Sequence, residues 1–140
     1  MNKVSKKYLE RAHFLLKNVG LTADLHINLL KAELGKITGE IELLDKHLNF
    51  NKNVHGGTYF SLADTMGGLA VSTMGRICTT VNGTIHYLRP SAGCEKIICD
   101  ANVIHKSNNM VWVETRIRNE NNILLCTCEL TYFLLGEIEY

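Results

Sequence analysis

Four consecutive segments in the second half of the chain alternate apolar with polar residues, and no helical pattern interrupts them. They cover residues 79–89, 94–105, 110–118 and 123–135. Pro90 and asparagine-rich stretches separate them, as turns do. Because successive side chains of a strand point to opposite faces, this alternation predicts a long antiparallel sheet covered mainly on one side. In the last segment the residues that share the apolar face are Leu124, Cys126, Cys128, Leu130, Tyr132 and Leu134.

One segment before these strands has the pattern of a buried helix. Residues 56–74 carry a wide apolar arc, made up of Phe60, Leu62, Ala63, Met66, Leu69, Ala70 and Met74. Gly67 and Gly68 lie inside it, although each costs about 1 kcal/mol relative to alanine in a helix. We therefore expect the sheet, or a partner chain, to approach this helix too closely for side chains at both glycines.

The first part of the chain predicts a short amphipathic helix followed by two strands. Apolar residues recur at helical spacing over residues 5–19, Ser5 is a suitable cap, and Gly20 is a suitable end. Residues 25–33 and 36–44 flank Leu34 and Gly35 and are typical of two paired strands. The element order indicates an α+β fold in one domain, residues 1–140, with a leading helix over 1–20 and a central helix over 56–74.

Composition argues against several classes of function. Fifteen basic and fourteen acidic residues give a net charge of +1, which provides no overall field for nucleic acid. The longest uncharged central stretch, residues 65–75, is too short to span a membrane, and we expect a soluble cytoplasmic protein. The five cysteines form no C-x-x-C pair and are interpreted as buried apolar residues, without disulfides or zinc.

A set of polar and glycine residues at fixed spacing identifies a family. It consists of Asn49, His55-Gly56-Gly57, Leu62-Ala63-Asp64, Thr80 and the tetrapeptide Tyr-Leu-Arg-Pro at 87–90. Together these resemble the hot dog fold thioesterases, and in particular the PaaI-like branch of acyl-CoA thioesterases, over nearly the whole chain. The resemblance implies a long central helix wrapped by a curved antiparallel sheet of about five to six strands.

The chemistry of thioester hydrolysis suggests roles for two of these residues. An acid inside an apolar helix is costly unless it is paired or used, so Asp64 is a candidate to activate water or to attack directly. Gly56 lies at the predicted start of the helix, where free amides and the helix dipole favour a developing oxyanion. The family resemblance implies that the Gly56 amide polarises the thioester carbonyl.

The resemblance also implies supporting roles around this pair. Asn49 is expected to orient the water or carbonyl, and Thr80 is expected to place a hydroxyl beside the carboxylate. His55 is interpreted as an anchor of the loop rather than a base. The candidate substrate contacts are His55, Gly57, Tyr59, Phe60 and Arg89. Leu62 and Met66 are further candidate walls for the acyl chain, and Lys52, Arg76 and Lys106 are further candidates for the phosphates of coenzyme A. No metal or redox cofactor is expected, because coenzyme A enters as part of the substrate.

Two other functions occur on the same fold. A non-catalytic acyl-CoA or lipid sensor is disfavoured because Asp64 is present. A hydratase or dehydratase would need a paired histidine and acid in a different loop, which the sequence does not contain.

Helix geometry predicts that the site is shared between two chains. Gly56 and Asp64 are eight residues apart, which corresponds to about 12 Å along a helix. The substrate carbonyl must lie within about 3 Å of both the amide donor and the carboxylate, so these two groups can be only about 6 Å apart. We therefore expect a two-fold homodimer with Gly56 from one chain and Asp64 from its partner. The resemblance alone implies a further pairing into a dimer of dimers.

Overall fold

The structure is a computed structural model that describes residues 3–140. Its helices are α1 (Lys6–Asn18), α2 (Gly20–Leu25) and α3 (Gly56–Ser72), and a 3₁₀ turn covers Asp45–His47. Its strands are β1 (Ile27–Glu33), β2 (Lys36–Glu42), β3 (Arg76–Tyr87), β4 (Lys96–Lys106), β5 (Met110–Asn119) and β6 (Leu124–Glu137). No helix in the described part of the chain is both long and apolar enough to cross a membrane.

All six strands form one antiparallel sheet in the order β1-β2-β4-β5-β6-β3. Helix α3 packs on one face of this sheet. The predicted inward face of β6 is confirmed for Cys126, Cys128, Leu130, Tyr132 and Leu134, which are all buried. At the start of the strand the prediction is wrong, because Leu125 is buried and Leu124 is only half-buried. The prediction of an α+β fold with one long helix on a curved antiparallel sheet is confirmed.

The leading helix is shorter than the range 1–20. It begins after Ser5, whose Oγ accepts a hydrogen bond from the Tyr8 amide at 3.1 Å, and it ends at Asn18. Residues 1 and 2 of that range lie outside the described residues. Gly20 has a positive φ of 47° and begins α2 instead of simply ending a helix. Strand β1 consequently starts at Ile27 rather than at residue 25.

Helix α3 ends at Ser72 rather than residue 74, and its two interior glycines have different surroundings. A Cβ on Gly67 would collide with the Tyr132 hydroxyl of β6 and lie 3.2 Å from Leu130. A Cβ on Gly68 would meet only a ring carbon of Tyr132 at 3.9 Å, which is ordinary contact. The expectation of close approach is therefore correct for Gly67, and within this chain it is wrong for Gly68.

This difference predicts opposite effects of two alanine substitutions. Gly67→Ala should lower the free energy of unfolding by about 1–3 kcal/mol, because the added methyl overpacks against Tyr132. Gly68→Ala should raise it by up to about 1 kcal/mol, because alanine favours the helix and has room. Urea denaturation of both variants measures the difference, and equal effects at the two positions would contradict the packing described.

His47 is a buried polar residue that joins three segments below α3. It is 2% exposed. Its Nδ1 accepts from the Leu44 amide at 3.0 Å, and its Nε2 lies 3.1 Å from the Leu25 carbonyl, which requires the neutral ring with the proton on Nε2. Burial lowers the pKa of the His47 imidazole.

The lowered pKa of His47 predicts that acid destabilises the fold. Below about pH 6.5 the unfolded chain binds a proton at this histidine before the folded chain does, so the free energy of unfolding falls as the pH falls. The slope from one such group is at most about 1.4 kcal/mol per pH unit. His47→Gln should flatten the slope between pH 7 and 5, and His13→Gln, at an exposed position of α1, should not. Identical slopes in all three proteins would exclude His47 as the cause.

Candidate active site

The carboxylate of Asp64 is held by two hydroxyl groups from the sheet. Its Oδ1 accepts from Thr80 Oγ1 at 2.7 Å and from Tyr132 Oη at 3.1 Å. Tyr132 Oη also lies 2.8 Å from the Asp64 backbone carbonyl, so the phenol hydroxyl is shared between the backbone oxygen and Oδ1 of one residue. Within residues 3–140, Oδ2 has no hydrogen-bond partner, and it is the oxygen left for a reactant.

The groups around Asp64 remain protonated at neutral pH. Burial, reinforced by the negative charge of Asp64, raises the pKa of the Tyr132 phenol. Burial likewise raises the pKa of the Cys78 thiol to about 11, with a smaller contribution from Asp64. Tyr132 is therefore a hydrogen-bond donor, and Cys78 is a poor nucleophile because the thiolate is the reactive form.

Sequence reasoning identified Thr80 but missed Tyr132. The signal for Tyr132 was its place on the inward face of the last strand, since a buried tyrosine hydroxyl usually finds a polar partner. The sequence did not indicate which partner, because Asp64 and Tyr132 are 68 residues apart.

The start of α3 exposes one free amide. His55 caps the helix by accepting the Gly57 amide on Nδ1 at 2.8 Å. Tyr87 Oη donates to the Gly56 carbonyl at 3.0 Å, which fixes this turn against β3. In the described residues the Gly56 amide itself has no acceptor. At a helix N-terminus such an amide is suited to an oxyanion.

Asn49 organises the loop that leads to this helix. Its Oδ1 accepts from the amides of Asn51 at 2.9 Å and Asn53 at 3.1 Å. Lys52 has a φ of 62°, in the left-handed region that glycine adopts more easily. Because two amides already donate to Asn49 Oδ1, the Asn49 side chain can contact a substrate only through its NH₂ group, as a donor.

The candidate residues line two different cavities of the chain. Asp64 and Thr80 line a cavity of about 290 Å³ together with Tyr132. A second cavity, of about 520 Å³, is lined by Asn49, Gly56, Tyr59, Tyr87 and Arg89 among others. The chain thus does not bring Asp64 and Gly56 together, as their eight-residue separation on α3 predicts.

The proposed substrate contacts are distributed unevenly. Tyr59 is buried with its ring 5.9 Å from that of Tyr87, and Arg89 is exposed with Nη1 on the Leu124 carbonyl at 2.7 Å. Phe60 is half-buried against Gly83 of β3. His55 and Gly57 face a separate recess beside Leu25 and His47, which fits the interpretation of His55 as an anchor.

The prediction that Leu62 and Met66 line the pocket for the acyl chain is wrong. Leu62 and Met66 are completely buried, because they lie on the side of α3 that faces the sheet, where Met66 packs against Gly39 of β2.

In the described part of the chain, no three histidine, cysteine or acidic side chains cluster as metal ligands. All five cysteines are free thiols.

Comparison with known proteins gives consistent matches. The family described as "Thioesterase superfamily" matches residues 51–126, more than half of the chain. Acyl-coenzyme A thioesterase PaaI of Escherichia coli is 26% identical over 117 residues, which cover 84% of this chain and 84% of that protein. Human acyl-coenzyme A thioesterase 13 is 27% identical over 101 residues, which cover 67% and 69% of the two chains.

Solved structures show the same fold. The E. coli PaaI structure superposes with a TM-score of 0.87 at 24% identity and covers 96% of this chain and 98% of that one. A Streptococcus mutans protein solved with acetyl CoA has a TM-score of 0.78 at 24% identity, with coverage of 81% and 91%. The predicted resemblance and the hot dog fold are confirmed. The chain therefore belongs to the thioesterase superfamily and is a PaaI-like hot dog thioesterase, a hydrolase acting on thioesters.

Proposed function

We propose that this protein hydrolyses acyl-CoA to a free acid and coenzyme A, with Asp64 as the reacting carboxylate. The observation that carries the proposal is the fixed orientation of Asp64, whose Oδ1 is held by Thr80 and Tyr132 and whose Oδ2 is free. The named activities of E. coli PaaI and human acyl-coenzyme A thioesterase 13 support acyl-CoA as the substrate class.

Asp64 acts in one of two ways in this mechanism. As a general base it takes a proton from water, whose oxygen attacks the thioester carbon. As a nucleophile its Oδ2 attacks that carbon, and water then hydrolyses the resulting anhydride. In both cases the carbonyl oxygen becomes an oxyanion, and the Gly56 amide stabilises it. The carbon–sulfur bond then breaks to release the coenzyme A thiolate, which takes up a proton from Asp64 in the first case and from water in the second.

The larger cavity, beside Gly56, suits the coenzyme A arm. Arg89 is exposed at its rim, and only one of its guanidinium nitrogens is engaged in a hydrogen bond within residues 3–140. The remaining N–H groups are available to a phosphate. The structure of the S. mutans protein with acetyl CoA supports binding of such a ligand on this fold. The proposed reaction requires no further cofactor.

The exposed edge of the sheet supports a homodimer. Strand β3 has twelve residues, lies at the end of the sheet and contains no Lys, Arg, Asp or Glu after Arg76. Its Ile77, Val81 and Tyr87 side chains are exposed. The opposite edge, β1, carries a bulge and the Lys31–Glu33 ion pair, which are features that block pairing. Strand β3 is therefore the edge suited to a second copy.

Pairing through β3 would also complete the site. Strand β3 runs antiparallel to α3, as three contacts show. Thr80 lies beside Asp64, Gly83 lies beside Phe60, and Tyr87 lies beside Gly56. An antiparallel partner strand reverses this order, so Gly56 of one chain meets Asp64 of the other.

A dimer of dimers remains an expectation from the resemblance. A cytoplasmic location also remains a prediction, and the five free thiols support a reducing compartment.

A thiol-release assay with Asp64→Asn tests the catalytic assignment. The asparagine keeps an oxygen for Thr80 and Tyr132, so the fold and acyl-CoA binding should persist. Turnover should fall by about 10²- to 10⁴-fold, the range for loss of a positioned acid or base. Asp24→Asn, at an exposed position of α2, is the matched control and should be fully active.

The thiol-release assay should use a panel of short, long and aromatic acyl-CoA esters. If Asp64→Asn keeps more than half of the wild-type rate, Asp64 is not the reacting group. If the wild type binds the esters but releases no thiol from any of them, the protein is an acyl-CoA binding domain instead.

Mixed dimers test whether two chains share each site. Asp64→Ala and Gly56→Leu chains are each expected to be inactive, the second because even a Cβ at Gly56 would lie 2.9 Å from the Tyr87 hydroxyl. After unfolding and refolding together, about half of the dimers should be mixed, each with one intact site, so about a quarter of wild-type activity should return. A mixture of Asp64→Ala with Asp64→Asn should stay inactive. If verified mixed dimers of the first pair are also inactive, the sites are not shared.

A further inference from the structure

Gly68 is a glycine inside α3 that the packing of residues 3–140 does not explain. Glycine weakens the interior of a helix relative to alanine. At Gly67 the Tyr132 hydroxyl excludes a side chain, but a Cβ on Gly68 would meet only a ring carbon of Tyr132, at 3.9 Å. A residue that weakens its own helix without improving the packing around it is a candidate for a functional role.

The space in front of Gly68 belongs to the cavity that contains the reacting carboxylate. On α3 this cavity is lined by Asp64, Thr65, Gly68, Leu69 and Ser72. Residues four apart lie on the same side of a helix, so Gly68 is in one row with Asp64 and Ser72. Because every α3 residue in this wall is Asp64 or follows it, the cavity extends from the carboxylate towards the C-terminal end of the helix and passes over Gly68.

We propose that Gly68 forms the floor of the pocket for the acyl group, and that its missing side chain admits acyl chains longer than acetyl. The preferred substrates are then coenzyme A esters of uncharged, apolar acyl groups that extend over Gly68. This inference rests on the proposed function, and it specifies the substrate class of the same site and a residue that determines it.

The other walls of the cavity are mainly apolar. Leu15 comes from α1, Leu69 from α3 and Cys78 from β3. Arg11 and Arg76 also line it and are half-buried, and such long side chains can cover an apolar ligand with their methylene groups while the guanidinium reaches water. A volume of about 290 Å³ lies at the lower end of ligand pockets and suits a small acyl group better than a nucleotide.

Distances along α3 indicate which acyl chains reach Gly68. It lies about 6 Å beyond Asp64 along the helix. An extended chain advances about 1.2 Å per bond, since the three backbone bonds of one residue span about 3.5 Å. A hexanoyl chain therefore extends about 6 Å from its carbonyl carbon and reaches Gly68, whereas an acetyl group extends about 1 Å and stays beside Asp64.

The experiment compares hexanoyl-CoA with acetyl-CoA in the thiol-release assay. The wild type should show the higher kcat/KM on hexanoyl-CoA. Gly68→Leu should lower the hexanoyl to acetyl ratio by about 10- to 200-fold, the range of discrimination available to a hydrophobic pocket, and Gly68→Ala should lower it by a smaller factor. Gly136→Ala is the matched control, because it adds the same methyl group outside the cavity with nothing described within 4 Å, and it should leave the ratio unchanged.

Stability distinguishes this role from a structural one. Gly68→Ala should raise the midpoint of urea denaturation while it lowers the ratio, because alanine strengthens the helix and narrows the pocket. If Gly68→Leu does not fold, Gly68→Ala decides the question, and an unchanged ratio in that variant overturns the inference. Equal losses on both esters together with a changed oligomeric state would also overturn it, because Gly68 would then make room for a partner chain.

Binding of the two esters to Asp64→Asn protein, with and without Gly68→Leu, measures selectivity without turnover. A preference for hexanoyl-CoA that Gly68→Leu removes supports the inference even if no ester is hydrolysed, in which case only the proposed function fails. If thiol is released but neither turnover nor binding favours hexanoyl-CoA over acetyl-CoA, the proposed function stands and the inference is overturned.

Discussion

The hydroxyl group of Tyr132 is the contact on which both the packing and the site depend. It lies between β6 and α3 and reaches the backbone carbonyl and the side chain of Asp64 together. It fits there because Gly67, one turn of α3 beyond Asp64 on the same side, has no side chain. The energy of joining helix to sheet and the orientation of the carboxylate therefore come from one interaction. A change that displaces this phenol affects stability and the site together.

The edge strand β3 extends this coupling to the rest of the molecule. It contributes Thr80 to the carboxylate and Tyr87 to the carbonyl of Gly56, so one strand positions both the start and the middle of the helix that carries the candidate site. Its outer edge has unpaired backbone groups, and its side chains are uncharged and partly apolar. An exposed edge of this kind is usually paired or blocked in a native protein. In the proposed dimer a single contact protects the edge and completes the site.

Patterns local to one segment predicted much of the fold. The alternation in β6 predicted most of its buried face, and Ser5 predicted the start of α1, because both features depend on residues close in sequence. The position of Thr80 beside Asp64 followed from the family resemblance. The partner of Tyr132 and the difference between Gly67 and Gly68 could not be predicted, because each depends on where a distant strand meets the helix. The wide apolar arc of α3 likewise did not show that Leu62 and Met66 face the sheet.

The rigidity of α3 explains why the proposed site is divided between two chains. A helix keeps Gly56 and Asp64 about 12 Å apart whatever the loops around it do. Its N-terminus is the natural place for an amide that stabilises an oxyanion, and its interior, against Tyr132 and Thr80, is a place where a carboxylate can be held precisely. One helix can therefore supply both groups but cannot apply them to the same carbonyl. In the proposed dimer, two copies related by a two-fold axis resolve this conflict, since each helix would supply its donor to one reaction and its carboxylate to the other.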